Sequence, residues 1–295
     1  MIGLIGGTGL GEALFGEMHA EEHDINTPFG KPSSKIRTAE WHGLKVALLA
    51  RHGEGHVFNP TSVPYRANIY ALKTLGVTHI IASGAVGSLR EEIKPRDLVI
   101  VDQIIDKTCR REPTFFDDGL AVHVEMANPF CPDLRQLLLT AANKVDAKVH
   151  SFGTYVCMEG PAFSTAAESR LHRAWDADLI GMTAMPEARL AREAEICYAL
   201  VALATDYDCW KPPTPGADKQ LLLEEIIGNL QAATANAVTL IKAAIETLAD
   251  DPPTPSPIHH ALEMAIWTDW SKITPKVYEK YGVLLEKYKN HASNT

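Results

Sequence analysis

Two carboxylates, Asp206 and Asp208, stand directly behind an apolar run at 197–204 that reads as a buried strand. In an open, mostly parallel sheet, ligands gather beyond the C-terminal ends of the strands, so this pair lies where a site is built. Two residues apart on extended chain, the side chains would face the same way. Paired carboxylates accept hydrogen bonds from an amino group and a ring N–H, or hold a proton for a leaving group, and an adenine-like base makes those demands. In isolation the stretch reads more readily as a solvated loop with two capping Asp residues, since Asp is common after strands. Other motifs tip the balance.

Three further strand ends carry groups suited to an anion. The strand at 2–5 runs into GGTGLG at 6–11, where glycines let backbone N–H groups approach an anion and Thr8 adds a hydroxyl. A dinucleotide fingerprint is excluded, because from Gly7 and Gly9 the GxGxxG register ends on Glu12; no GK[ST] of a P-loop follows. The apolar run at 44–50 ends in Arg51 and His52, and an Arg fork suits phosphate, with a structural ion pair as its competing use. His56, five residues on, reads as a polar loop residue. The strand at 79–83 leads into Gly84 and Ala85, again small residues at a strand end. His123 lies in a polar, aromatic loop, and a single His there carries little weight by its own spacing.

These side chains need a scaffold, and the chain supplies one by alternation. Helical periodicity covers 65–75 and stops at Gly76; a strand follows at 98–101 and a helix starts near Pro132. A strand at 154–158 exits into a loop where Ser164 or Thr165 can cap a helix containing Glu168. A strand at 178–181 precedes a helix opened by Pro186 and running to Glu195. After the break at 211–216, residues 218–248 read as one long amphipathic helix. This pattern predicts an α/β fold: a single domain at 1–249 with a central, largely parallel mixed sheet flanked by helices. A Pro-rich linker at 250–257 and a C-terminal helical extension at 258–295 follow. The extension carries Ile266, Trp267, Trp270, Tyr278, Tyr281, Leu284 and Leu285, an apolar density that should dock on the domain or on a neighbouring subunit.

The 295 residues, 46% hydrophobic and 22% charged, suffice for a sizeable core. A net charge of −9 and a pI near 5.7 argue against a nucleic-acid footprint and against an anionic membrane, so a phosphate must be held by local groups. No basic leader and no apolar run approaching ~20 residues is present, which points to the cytoplasm. Five scattered cysteines without CxxC spacing fit reduced thiols better than disulfides or zinc.

Taken together, GGTGL at 6–10, TPFGKPS at 27–33, ARHG at 50–53, AVGSL at 85–89, MEGP at 158–161, IGMT at 180–183 with Pro186 and Glu187, and TDYDCW at 205–210 resemble the S-methyl-5′-thioadenosine phosphorylases, within the trimeric purine nucleoside phosphorylases. The resemblance covers roughly 1–248. It implies phosphorolysis of 5′-methylthioadenosine to adenine and 5-methylthioribose 1-phosphate, with inorganic phosphate as co-substrate and no cofactor or metal. It implies phosphate held by Thr8, Arg51, His52, the Gly84 and Ala85 backbone and Thr183. Met182 would line the ribose, Phe163 and Ser164 would face the base, and Asp206 and Asp208 would bind it. His123 would be lent by a neighbouring subunit of a homotrimer or dimer of trimers, and Leu222, with its neighbours Leu221 and Leu223, would close the methylthio pocket. Three departures stand out: Gly84 where the family carries Ser or Thr, and Ala162 and Ala166 where it carries Arg. The extension beyond Pro257 is longer than the resemblance leads one to expect.

Two other readings compete. A phosphorylase of other purine nucleosides (adenosine, inosine or guanosine) shares the fold, and the 6-oxopurine enzymes carry Asn where Asp206 stands. A nucleoside-binding protein without activity would have no use for a second, phosphate site.

Overall fold

In a computed structural model of the chain, residues 1–7, 10–16, 20–211, 218–251 and 255–288 are described. The elements run β1 (Ile2–Gly6), α1 (Leu10–Phe15), β2 (Glu21–His23), β3 (Ile36–Trp41), β4 (Leu44–Ala50), α2 (Tyr65–Thr74), β5 (His79–Ser88), β6 (Leu98–Ile100) and β7 (Gln103–Lys107). They continue with α3 (Pro132–Ala142), β8 (Val149–His150), β9 (Thr154–Met158), α4 (Ala166–Ala174), β10 (Leu179–Gly181), α5 (Ala184–Glu193), β11 (Cys197–Asp206), α6 (Lys219–Asp250) and α7 (Pro275–Tyr281). The strands form one mixed sheet in the order β2-β3-β4-β1-β5-β10-β9-β7, with β11, β6 and β8 branching from β5. Around the centre the pairing is parallel, β1 with β4 and β5, and β5 with β11, while β3 with β4, β10 with β5 and β11 with β6 are antiparallel.

The hinge of this architecture is β5. Its first half lies between β1 and β11, and its last residues, Gly87 and Ser88, turn to pair with Ile180 and Leu179 of β10. Its second half, SGAVGS at 83–88, consists almost wholly of small side chains, which leaves room for this bend, and the strand is twice as long as the apolar run at 79–83 suggests. The ends of β5, β10 and β11 thereby converge, which is what collects the site.

Both faces of the sheet are buried, as strands at the centre of an α/β fold require. Along β11, Cys197, Ala199, Val201 and Leu203 enter the core layer shared with α3 and α6, while Tyr198, Leu200, Ala202 and Ala204 enter the layer shared with α2 and α5. The α6 helix is 32 residues, roughly 48 Å at 1.5 Å per residue, and buries Ala233, Ala237, Ile241, Ala244 and Leu248 at helical spacing. Asp218 caps it by accepting from Gln220 N–H.

The extension does not form a separate layer. Leu262, Ala265, Ile273, Tyr281, Leu284, Leu285 and Tyr288 join the same core cluster as α2 and α5, and the Tyr288 hydroxyl donates to buried Glu195 Oε1 at 2.6 Å. Among the described residues no helix is long and apolar enough to cross a membrane.

Candidate active site

A cavity of about 370 Å³ opens at the convergent strand ends, inside the size range of small-molecule sites. The expected residues that line it are Arg51, His52, Gly84, Ala85, Phe163, Ser164, Met182, Thr183, Asp206 and Asp208. Thr8 lies outside the described residues. Its neighbours Gly7 and Leu10 are at the wall.

At one end sits the acidic pair, and its geometry departs from the pleat argument. The chain does not stay extended beyond Asp206: Asp208 N–H donates to Asp206 Oδ1 at 2.7 Å, and Asp208 adopts φ +49. An Asx-type turn, rather than strand alternation, therefore brings both carboxylates to the cavity. Thr205 Oγ1 donates to Asp206 Oδ2 at 2.7 Å, whereas Asp208 Oδ2 is buried without a hydrogen-bond partner. A buried carboxylate oxygen left bare is costly, which marks it as a seat for a donor from a ligand. Gly87 makes room for the turn, since a Cβ there would stand 3.2 Å from both Asp206 Oδ1 and Asp208 Cβ.

At the other end the polar groups are built for an anion, but not as the sequence suggests. The Arg51 guanidinium is buried and its fork grips Glu187, Nε to Oε2 at 2.7 Å and Nη2 to Oε1 at 2.8 Å, while Nη1 donates to Ser83 carbonyl at 2.7 Å. The structural ion pair and the cavity role thus coexist: Nη1 is the edge near Gly84, 3.9 Å from where a Cβ there would be. Burial works against the Arg51 charge, and the Glu187 carboxylate more than offsets it, so its pKa is raised. Tyr198 hydroxyl donates to Glu187 Oε1 at 2.7 Å, so each oxygen of this buried carboxylate is satisfied.

His52 is buried, and desolvation pushes its pKa down to about 4, so the ring is neutral. Its Nδ1 lies 2.8 Å from the Phe58 carbonyl, which can only accept; Nδ1 therefore carries the proton and Nε2 is left as the acceptor. His56 stacks on this ring at 4.2 Å and also lines the cavity, against its reading as a mere loop residue. Thr183 Oγ1 lies 3.4 Å from where a Cβ on Gly84 would be, so Gly84 leaves a gap between Thr183 and Arg51 that a side chain could fill.

Arg111, which the sequence did not single out, ties two loops together. Arg111 donates to the carbonyls of Met182 at 2.6 Å, Met185 at 2.5 Å and Glu159 at 2.7 Å, tying the Met182 loop to the loop after β9. Glu159 accepts from Thr61 Oγ1 at 2.6 Å and from Cys109 N–H at 2.7 Å; burial would raise its pKa, but these bonds and Arg111 bring it down to about 2. Thr165 caps α4 with the full capping box to Glu168, placing Phe163 and Ser164 just ahead of the helix.

Two expected residues lie elsewhere. Leu222 is absent from the cavity wall, which α6 builds from Ile226, Leu230 and Thr234. Positions 222, 226, 230 and 234 share one helix face, so Leu222 points the same way but sits a turn beyond the rim. His123 is exposed, with its N–H bonded to the Ala265 carbonyl at 2.9 Å and its ring against Trp267 at 4.8 Å, and it does not line this chain's cavity.

The sequence pattern of the Phosphorylase superfamily matches residues 1–246, the part of the chain that builds this sheet and cavity. The S-methyl-5′-thioadenosine phosphorylase of Synechocystis sp. is 48% identical over 292 residues, covering 97% of this chain and 87% of that protein. The crystal structure of a methylthioadenosine phosphorylase from an antarctic soil metagenomic library superposes with a TM-score of 0.89 at 46% identity, over 96% of this chain and 98% of the other. A variant of the adenosine/methylthioadenosine phosphorylase from Schistosoma mansoni, in complex with methylthioadenosine, superposes with a TM-score of 0.76 at 32% identity, over 98% of this chain and 99% of that one. The chain belongs to the S-methyl-5′-thioadenosine phosphorylase family. The similarity runs well past residue 248, so the C-terminal extension is shared with relatives and is not an appendage of this chain.

Proposed function

We propose that this chain catalyses phosphorolysis of S-methyl-5′-thioadenosine, giving adenine and 5-methylthio-D-ribose 1-phosphate, with inorganic phosphate as co-substrate and no organic cofactor or catalytic metal. The observation that carries this reading is one cavity with the unpaired Asp208 Oδ2 at its base end, an anion corner of Arg51, His52, Gly84, Ala85 and Thr183 opposite, and Ile226 and Leu230 on an apolar wall. The purine sits with its amino edge and N7 toward the Asp206–Asp208 turn. Met182 lies along the ribose, and the thioether end lies against the apolar wall.

As the N9–C1′ bond breaks, its electron pair goes to the purine and positive charge grows on the sugar. A proton taken up from solvent at N7 and held there against the acidic pair neutralises the departing base, while a phosphate oxygen waits on the opposite face and bonds to C1′. Neutral His52, with Nε2 as acceptor, takes a hydrogen bond from the phosphate hydroxyl, and Thr183 and the Arg51 edge donate to the other oxygens. Adenine release from S-methyl-5′-thioadenosine should require phosphate and yield one sugar phosphate per adenine. Equal release without phosphate would make the chain a hydrolase and overturn this reading.

We also place the protein in the cytoplasm as a homotrimer or dimer of trimers. All five cysteines are free, as a reducing compartment requires. Around His123, Trp267 is 73% and Met264 90% exposed, an apolar face that fits a subunit contact through which His123 reaches a neighbour's cavity. Sedimentation at assay concentration should therefore show a trimer or larger; a fully active monomer would remove His123 from the site.

A further inference from the structure

At the opposite end of β5 and β11 lies a second set of chemistry-bearing side chains that phosphorolysis does not use. His79 and Cys197 are the first residues of their strands and are paired directly in register. His259, from the C-terminal extension, closes on them. One ligand atom from each lies within 4.8 Å of the others, and Cys197 Sγ stands 3.5 Å from His259 Nε2. His79 and Cys197 are buried and His259 is half-buried.

We infer that His79, Cys197 and His259 form a structural site for a Zn²⁺-class transition-metal ion that fastens the extension to the start of the two central strands. Bond lengths of about 2.3 Å to sulfur and 2.0–2.1 Å to nitrogen at a tetrahedral angle put the two ligand atoms ~3.5 Å apart, the separation seen between Cys197 and His259. All three ligand atoms lie within 4.8 Å of one another, so a small side-chain adjustment is all that bonding distance asks of the set. His79 is already oriented for the role: its Nδ1 lies 2.9 Å from Thr78 Oγ1, and a second partner of this kind leaves Nε2 for a metal.

The proton balance is simple. Cys197 releases its thiol proton to solvent and binds as thiolate, and both imidazoles bind neutral. His259 Nε2 now faces the Thr78 carbonyl at 3.3 Å, so its proton must move to Nδ1, at the expense of the long 3.3 Å contact from Ser256 N–H. The buried Cys131 side chain is hydrogen-bonded to Cys197 and offers the metal a fourth ligand. From Cys197 to Asp206 along β11 is ~30 Å at 3.3 Å per residue, so the site acts on the anchoring of the extension and not on the reacting atoms.

The test is a Co²⁺ titration of the full-length protein carrying Cys109→Ser and Cys209→Ser, which removes the two exposed thiols. One equivalent of Co²⁺ should give thiolate-to-cobalt charge-transfer absorption with the d–d bands of a tetrahedral site, and Zn²⁺ should displace it and raise Tm. Adding Cys197→Ser should abolish the charge-transfer band, and adding His259→Gln should weaken Co²⁺ at least ~10-fold. No charge-transfer band in the folded protein, a band untouched by Cys197→Ser, or unchanged affinity in His259→Gln would each overturn the site. Should Cys197→Ser fail to fold, the parent titration and the half-buried His259→Gln variant decide. None of these readouts depends on catalytic activity, so failure here leaves the phosphorylase reading intact.

Discussion

Asp206→Asn should lower kcat/KM for S-methyl-5′-thioadenosine by roughly 10- to 150-fold, the range that a charge-assisted hydrogen bond of ~1.5–3 kcal/mol implies. The fold should survive, because the turn needs only an acceptor at Oδ1 for the Asp208 N–H, and Asn keeps one. The other position changes from acceptor to donor, and the Thr205 hydroxyl that now donates to Oδ2 can turn and accept instead. What disappears is the negative charge beside a purine gaining a proton at N7. Wild-type enzyme should prefer the 6-aminopurine over the 6-oxo analogue by at least ~10-fold, because a carboxylate facing the carbonyl oxygen is left unpaired. An Asn can donate to that oxygen, so the variant should narrow or reverse the preference. Wild-type rate and selectivity in Asp206→Asn would mean that this carboxylate does not read the base.

Arg51→Met should destabilise the protein by about 3–5 kcal/mol, because it leaves the Glu187 carboxylate charged, fully buried and stripped of two of its three donors. The same variant should raise the phosphate KM well beyond its effect on the nucleoside KM. Two roles are thus mixed in one substitution, and a second variant separates them. Arg51→Met combined with Glu187→Gln removes both charges, keeps an acceptor for the Tyr198 hydroxyl, and should restore most of the lost stability while leaving phosphate binding poor. A single variant with wild-type Tm would deny the buried pair its structural weight. A double variant with wild-type phosphate KM would remove Arg51 from the anion corner.

Much of this site was legible because its parts are local. An apolar strand followed by small or chemically active residues is a pattern of a few residues, and it located Arg51, His52, Gly84, Asp206 and Asp208 at strand ends. Thr165 and Glu168 form a capping box whose spacing lies within one turn. What local reading missed were the long-range partners. Glu187 meets Arg51 across 136 residues, and Arg111 reaches Met182 across 71, and no spacing rule connects such positions. His56 was passed over for a similar reason, since its stacking on His52 depends on how the loop after β4 folds back.

The amino-acid pattern by itself determined the alternation of strands and helices, the burial of 197–204 at the sheet centre, the length of α6 and the family to which the chain belongs. These follow from side-chain periodicity and from motifs in a characteristic order. Only the tertiary structure decided how the carboxylates face the cavity, because an Asx-type turn replaced the extended chain that alternation assumes. It also decided that Ile226 and Leu230, a turn or two beyond Leu222, meet the cavity, since helix periodicity sets a face but not where along that face a neighbour ends. The extension likewise becomes part of the main core because Tyr281, Leu285 and Tyr288 find a buried surface between α2 and α5 that exists only once the sheet has closed. Scattered cysteines and histidines looked inert for the same reason: His79, Cys197 and His259 are 62 or more residues apart in sequence, and parallel pairing of β5 with β11 is what brings them together.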